Sequence, residues 1–379
     1  MADIKPKIAA LIPYPVYPAK MGGQKGIALF YRYLSEKIPV ALIGVKGQQP
    51  DRESAPLFLG MLEKSRLRYV NIFIFFRLKR FLRIYNIGTL IIEHPYYGWL
   101  GWMLRKFAGI KIIFHSHNIE SQRFKTTGKW WWKIMQSYEG WAHRYADFNF
   151  FITPEDKAWA ISNYGIHPEK CTIIPYGCET KNRPEPEKKS DARKQLCAKY
   201  GLNGNEKLFL FNGTLNYKPN LDALNFILDR INPLLQQQRL AYRIFICGKG
   251  LPEKMGELKD YRLKSVIYAG FVEDINLYFL GTDIFLNPVS DGGGIKTKLV
   301  EALAENLTVV SSSNGAIGVP AEIAGEKLLL AEDDAPESYL KNIAAADPGT
   351  QTPALFFDYF YWGNIATKAV GHLSEFIKN

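Results

Sequence analysis

The 379-residue sequence predicts two doubly wound, mostly parallel α/β units in tandem, and three observations predict it. Short apolar runs alternate with helical patterns through both halves; a polar, proline-bearing stretch separates the halves; and the length suits two domains, each able to bury its own core. In the first half the runs are KIAALI (7–12), VALIGV (40–45), TLIIEH (89–94), KIIFHS (111–116), FNFFIT (148–153) and CTIIP (171–175). Runs this short, apolar on both faces and separated by helix-length segments, suit strands covered on both sides. Helices are expected near 22–36, 71–85, 98–108, 129–146 and 153–163. The last opens on Thr153, Pro154, Glu155 and Asp156, an N-cap hydroxyl, a first-turn proline and two acids that favour the helix dipole.

The stretch 180–192, TKNRPEPEKKSDA, reads as an interdomain connection, and after it the pattern begins again. KLFLFN (207–212), RIFICG (243–248), SVIYAG (265–270), DIFLNP (283–288), TVVSSS (308–313) and KLLLA (327–331) are the strand candidates. Helices fit near 219–237, 273–281, 294–305 and 335–345. Two such units leave a cleft between them, with the C-terminal strand ends of both sheets expected to face it.

Composition excludes several classes. Cys171, Cys178, Cys197 and Cys247 form no CxxC pair and have no histidine at ligand spacing, so neither zinc nor a redox motif is expected. Pro13, Pro15 and Pro18 interrupt the N-terminal apolar stretch, which therefore does not read as a signal peptide, and no apolar run approaches the ~20 residues of a membrane span. A cytoplasmic protein is expected. Its charge is uneven: residues 1–175 carry 25 Lys and Arg against 12 Asp and Glu, whereas residues 176–379 carry 23 against 25. A nucleic acid, a membrane surface or an anionic lipid-linked substrate would suit the basic half, and the lack of a nucleic-acid-binding signature argues against the first.

The segment richest in chemistry is Asp291–Ala304, DGGGIKTKLVEALA, between a strand and an amphipathic helix. Gly292, Gly293 and Gly294 let backbone N–H groups approach a ligand where the helix N-terminus adds partial positive charge, so a phosphate suits the turn. Lys296 and Lys298 strengthen the same end. Lysines in a first turn oppose the dipole, which a purely structural helix tends to avoid. Glu301 lies about 10 Å along the axis from Gly294, comparable with the reach from a diphosphate to its ribose. The plainer alternative is a surface helix with a Lys298–Glu301 pair at helical spacing.

On Gly292–Lys298 and on Val300–Ala304, a Glu-Ala-Leu-Ala core, the sequence resembles glycosyltransferase family four, the retaining GT-B family, in its branch with a GGGxRxK-type donor turn. The resemblance covers nearly the whole chain. It implies a GT-B fold with an N-terminal domain of 1–178, joined by a C-terminal crossover helix within 358–379, and a donor domain of 193–357. The family's first glutamate, eight residues before Glu301, is replaced by Gly293. Gly213, Thr214 and Lys218 resemble its second-domain phosphate turn, without the usual Arg and Lys at their common spacing, which leaves Lys218, Lys296 and Lys298 to neutralise a diphosphate. Gly22 and Gly23 resemble the N-terminal glycine pair that closes over the donor, and Phe271 and Val272 follow Gly270 in a base-binding turn. In FHSHNIE (114–120), His117 aligns with the family histidine that contacts the donor sugar, and His115 lies one alternation earlier.

Together these imply a hexosyltransferase of polysaccharide assembly, moving sugar from a nucleoside-diphosphate sugar to a glycan or lipid-linked acceptor with retention, without metal or cofactor. His117, Lys296 and Lys298 are its expected catalytic residues, and no nucleic acid is expected as partner. A nucleotide-sugar epimerase and a non-catalytic nucleotide-sugar-binding scaffold are the alternatives. Finally, 64–85 holds Lys64, Arg66, Arg68, Arg77, Lys79, Arg80 and Arg83 without one acid, interleaved with Phe73, Phe75, Phe76, Phe81 and Leu82. Cations beside apolar rings suit a helix lying on an anionic membrane, at the inner face for a cytoplasmic protein.

Overall fold

The computed structural model describes residues 5–50, 57–238 and 240–377. Strands β1 (Ile8–Leu11), β2 (Val40–Val45), β3 (Phe58–Leu62), β4 (Thr89–Glu93), β5 (Lys111–Ser116), β6 (Phe148–Phe151) and β7 (Cys171–Ile173) pair in parallel in the order β3-β2-β1-β4-β5-β6-β7. The helices of this part are α1 (Gly22–Ser35), α2 (Phe73–Ile84), α3 (Gly98–Ala108), α4 (Glu120–Thr126), α5 (Trp132–Tyr145) and α6 (Pro154–Tyr164). Every residue of β1, β2 and β4 is buried, as a sheet covered on both faces requires. Leu78 and Leu82 of α2 and Leu100 and Leu104 of α3 share a core with Ile43, Leu90, Ile92 and Ile112.

After α7 (Pro186–Tyr200), β8 (Lys207–Asn212), α8 (Lys218–Phe226), α9 (Asn232–Gln237), β9 (Tyr242–Cys247), β10 (Val266–Gly270), α10 (Asn276–Gly281), β11 (Ile284–Asn287), α11 (Thr297–Ala304), β12 (Thr308–Ser312), α12 (Ala321–Ala324), β13 (Leu328–Ala331) and α13 (Pro336–Ala345) form the second sheet and its cover. Its order, β10-β9-β8-β11-β12-β13, repeats the plan of the first sheet. In each sheet the winding reverses beside the first strand, between β1 and β4 and between β8 and β11. Ligands of open α/β sheets bind outside the carboxyl ends of strands at that reversal.

Two compact units result: 1–179 with 360–379, and 180–359. The stretch expected as a connection is helical from Pro186, because Ala192 and Leu196 bury against α10; a Cβ on Gly281 would meet Leu196 Cδ1 at 2.7 Å. The second unit therefore starts earlier than the sequence pattern implied. β3 was not legible as a strand because it is an edge strand, half-exposed along most of its length. Between α8 and α9 a π turn, Ile227–Ile231, interrupts the single helix expected over 219–237. α14 (Ala354–Phe360) leads the chain back, and α15 (Trp362–Leu373) packs on α1 in the first unit, with the Tyr33 and Tyr361 rings 5.8 Å apart.

The basic segment divides differently from the sequence expectation. Phe75, Phe81 and Leu82 turn into the core, while Phe73 and Phe76 stay in solvent. Arg68 is also buried, its guanidinium donating to the carbonyls of Pro13 (2.9 Å), Lys64 (2.9 Å) and Ser65 (3.1 Å), so it is no surface cation.

Candidate active site

Parallel register sets Glu93, the last residue of β4, beside His115 of β5. Side chains alternate along an extended chain, so His117 returns to the side of His115. Both rings meet the Glu93 carboxylate: His115 Nδ1 lies 3.0 Å from Oε1, His117 Nε2 is bonded to Oε2, and the Tyr31 hydroxyl from α1 donates to Oε1. Burial opposes the charge on Glu93, but the two histidines and their hydrogen bonds prevail and hold its pKa well below the usual carboxylate range. An ionised carboxylate only accepts, so we assign the protons to His115 Nδ1 and His117 Nε2. His117 is pushed down to about 4, chiefly by burial, so its ring is neutral at physiological pH. Its Nδ1 is then a lone-pair acceptor.

A second carboxylate–histidine pair adjoins the first. His94 follows Glu93 with φ 59° and ψ 158°, a region where a side chain is strained and which functional sites tolerate when their surroundings enforce it. The His94 amide donates to the His115 carbonyl (3.0 Å), Nδ1 faces Glu120 (2.9 Å), and the Tyr14 hydroxyl meets Nε2 (2.9 Å). The ring stacks on His117 at 4.6 Å and 22°. Glu120 is paired with Arg123 (2.8 Å) and opens α4, whose first amides, those of Glu120 and Ser121, donate to the buried Glu139 of α5 at 2.9 Å each. Burial pushes Glu139 up to about 7.

Glu93, His115 and His117 hold their ligand atoms within 4.8 Å of one another, and are the grouping among the described residues that could hold a metal ion. Each nitrogen turned toward the carboxylate has it as hydrogen-bond partner, and the three side chains form a relay. Also in the first unit, Gly22 and Gly23 open α1 as expected, with open space where a Gly23 Cβ would stand. The Gln24 carboxamide braces the approach by accepting from the Lys20 and Met21 amides at 3.1 Å.

In the second unit the turns after β8 and β11 share one corner. Gly292 and Gly294 adopt φ of 95° and 71°, conformations that favour glycine. Lys296 Nζ donates to the carbonyls of Gly292 (2.7 Å) and Gly294 (3.0 Å), fixing the turn. Lys298 Nζ reaches across to the Asn212 carbonyl (3.0 Å) and Asn220 Oδ1 (3.1 Å), above the Phe211 ring. It thereby ties the glycine turn to the one containing Gly213 and Thr214. Burial, then the neighbouring Lys296, push it down to about 7, against the pull of Glu301. Gly213 packs closely: its carbonyl occupies the space a Gly248 Cβ would need, at 1.8 Å.

The remaining residues named from sequence spread out. Lys218 points into solvent and pairs with Asp222 (2.6 Å). Phe271 and Val272 follow β10, where Gly270 has φ 65° and the Phe271 ring is 72% exposed. Gly293 is exposed in the turn, and Glu301 lies on the outer side of α11, whose Leu299, Val300, Ala302 and Leu303 face the core. Sequence reasoning missed Glu93, His94, Glu120 and Tyr31. Its one available signal was TLIIEH, a buried apolar strand that ends on two ionisable residues.

Two Rossmann-type units in tandem, one with a relay at its strand ends and one with a lysine-laced glycine turn, define the GT-B class of fold. Residues 22–182 match the Glycosyltransferase Family 4 domain and residues 206–346 the domain described as Glycosyl transferases group 1. The chain belongs to this GT-B glycosyltransferase family. A glycosyltransferase from Rickettsia africae is similar in structure over 98% of both chains, with a TM-score of 0.73 at 18% identity. HepE of Anabaena, solved with UDP-glucose, is similar over 97% of this chain and 100% of its own, with a TM-score of 0.67 at 14% identity. In sequence, the alpha-monoglucosyldiacylglycerol synthase of Streptococcus pneumoniae is 26% identical over 160 residues, 41% of this chain and 35% of the relative. The matched stretches span about a third of the length of the curated relatives.

Proposed function

We propose that the protein transfers a hexose from a nucleoside-diphosphate sugar to a glycan or lipid-linked acceptor, with retention and without a metal ion or cofactor, at the cytoplasmic face of an anionic membrane. The observation that carries the reading is the corner where Lys298 ties the Gly292–Gly294 turn to the turn after β8. It stands at the winding reversal of the second sheet, where a diphosphate suits the fold. Leaving-group charge grows on the diphosphate during transfer, and fixed N–H donors with Lys296 and Lys298 stabilise it there. Gly22 and Gly23 add backbone donors, and His117 Nδ1 accepts a hydrogen bond from a sugar hydroxyl. Membrane contact is supported by the basic balance of residues 1–175, and no helix among the described residues is long and apolar enough to cross a membrane. Turnover of UDP-, GDP- and ADP-sugars with and without acceptor tests the reading. Transfer needs acceptor, whereas epimerisation proceeds without it and a scaffold gives neither.

Lys298 supplies a pH test. Free, it loses its proton at about 7; a bound diphosphate raises that value. Binding above about pH 7 therefore takes up a proton, and affinity falls as pH rises through that window. Calorimetry with UDP at pH 8, in buffers of different ionisation enthalpy, should show uptake approaching one proton, which Lys298→Met removes. No uptake, with affinity flat in pH, would take Lys298 off the diphosphate.

A further inference from the structure

Exposed apolar side chains on the first unit are concentrated rather than scattered. Leu67, Val70, Ile72, Phe73 and Phe76 fall within ten residues and are 71%, 74%, 52%, 72% and 63% exposed. They stand on a braced corner, the short 3-10 turn Arg66–Val70 leading into α2. The buried Arg68 guanidinium ties that turn to Pro13, the Tyr97 hydroxyl donates to the Arg68 carbonyl (3.0 Å), and the Trp99 indole donates to the Tyr69 carbonyl (2.8 Å). Exposed Lys64, Arg66, Arg77, Arg80 and Arg83 surround the corner, and the sequence has no acid from 64 to 92.

A second arm repeats the chemistry. Where α4 gives way to α5, Trp130 of the connection is 84% exposed and Ile134 in the first turn of α5 65%, among exposed Lys125, Lys129 and Lys133. A chain of contacts joins the arms: Tyr69 to the Tyr96 ring (5.9 Å), Tyr96 to Arg123 (3.0 Å), and Phe124 beside Arg123 to Trp131 (4.4 Å). Tyr96 also stacks on His94, 5.6 Å away, so the same contacts lead to the relay of Glu93 and His117.

We propose that both arms insert apolar side chains into an anionic bilayer, the Leu67–Phe76 corner as the main wedge and Trp130 with Ile134 as the second. The inference rests on the reading of a membrane-associated transferase and deepens it, because cations alone would give only attraction that salt screens. Charge complementarity identifies the occupant: clustered cations without acids match lipid phosphates, and the rings they surround match the acyl boundary. An inserted face anchors the relay beside an acceptor carried in the same membrane.

Flotation with vesicles of phosphatidylglycerol and phosphatidylcholine, at low salt and at about 1 M salt where the Debye length is about 3 Å, tests this. The wild type should bind at low salt and retain a bound fraction at high salt. Val70→Ser, Phe73→Ser and Phe76→Ser combined should cut the salt-resistant fraction at least about tenfold, and Trp130→Ser should cut it less. Arg77→Gln, Arg80→Gln and Arg83→Gln combined should weaken mainly low-salt binding. Unchanged melting and UDP affinity establish that the serine variant is folded. Salt-labile binding that is identical in wild type and serine variant overturns insertion while leaving electrostatic docking intact. No binding of the wild type at either salt overturns both, and assigns the apolar corner to a protein partner.

Discussion

A Glu93→Gln variant is expected to fold and to bind nucleoside diphosphate like the wild type, yet to transfer sugar roughly 10²- to 10³-fold more slowly, as expected when an orienting carboxylate loses control of a histidine tautomer. Glu93 accepts from three donors: the Tyr31 hydroxyl, His115 Nδ1 and His117 Nε2. Glutamine has the same shape but offers one oxygen and one N–H₂ group. If the N–H₂ group faces His117, Nε2 must become the acceptor and the ring proton moves to Nδ1, converting the nitrogen proposed to meet the sugar from acceptor to donor. Single-turnover transfer with saturating donor is the measurement, because the loss should appear in kcat rather than in donor affinity. A rate within a few-fold of wild type would remove the relay from the reaction. Stability supplies a companion readout. Unfolding lets His117 regain its ordinary pKa near 6.5, and the unfolded chain binds the extra proton between that value and about 4. Glu93 acts in the same direction, since its depressed pKa stabilises the fold above the unfolded value and that stability is lost on acidification. His143, pushed down to about 4 by burial, adds to this loss and Glu139, pushed up to about 7, opposes it, so with two histidines against one carboxyl the wild type should lose stability as pH falls from about 6.5 toward 4.

The legibility of this molecule follows from what each residue has to satisfy. β1, β2 and β4 were plain in the sequence because strands buried on both faces must be apolar throughout. β3, at the edge, and α7, which buries only Ala192 and Leu196, lack that constraint and left no pattern. The site divides in the same way. The glycine turn was visible because positive φ at Gly292 and Gly294 and a following helix leave a local signature. The relay was half visible: His117 and His115 sit in one turn, but Glu93, His94 and Glu120 join them only through the register of β4 with β5 and the placement of α4. α2 shows the limit of composition. Its cations and rings were countable, but only the helical phase sends Phe75 and Phe81 inward and leaves Phe73 and Phe76 outside.

Glu301→Ala is expected to weaken nucleoside-diphosphate binding by roughly 1.5 to 3 kcal/mol, about 10- to 150-fold, and to leave transfer nearly abolished at ordinary donor concentrations. The helix explains why this change should spare the fold. In α11, Leu299, Val300, Ala302, Leu303 and Ala304 supply the buried surface, while Glu301 lies half-exposed one turn beyond the end that carries Lys298. Because α11 starts at Thr297 rather than at the glycine turn, this carboxylate stands about 6 Å along the axis from the first helical residue, within the reach of a ribose whose diphosphate lies at the turn. The interaction proposed for Glu301 is a charged hydrogen bond to a ribose hydroxyl, so the deficit should be the same for UDP as for the intact donor, because both carry the ribose. UDP lacking one ribose hydroxyl should bind the wild type less tightly but bind the variant no worse than UDP does, since the partner has already gone. Melting should stay within a few degrees of wild type, which separates lost recognition from lost structure. Titration of UDP and its 2′- and 3′-deoxy forms into both proteins decides the point: equal UDP affinity in variant and wild type would take Glu301 off the ribose.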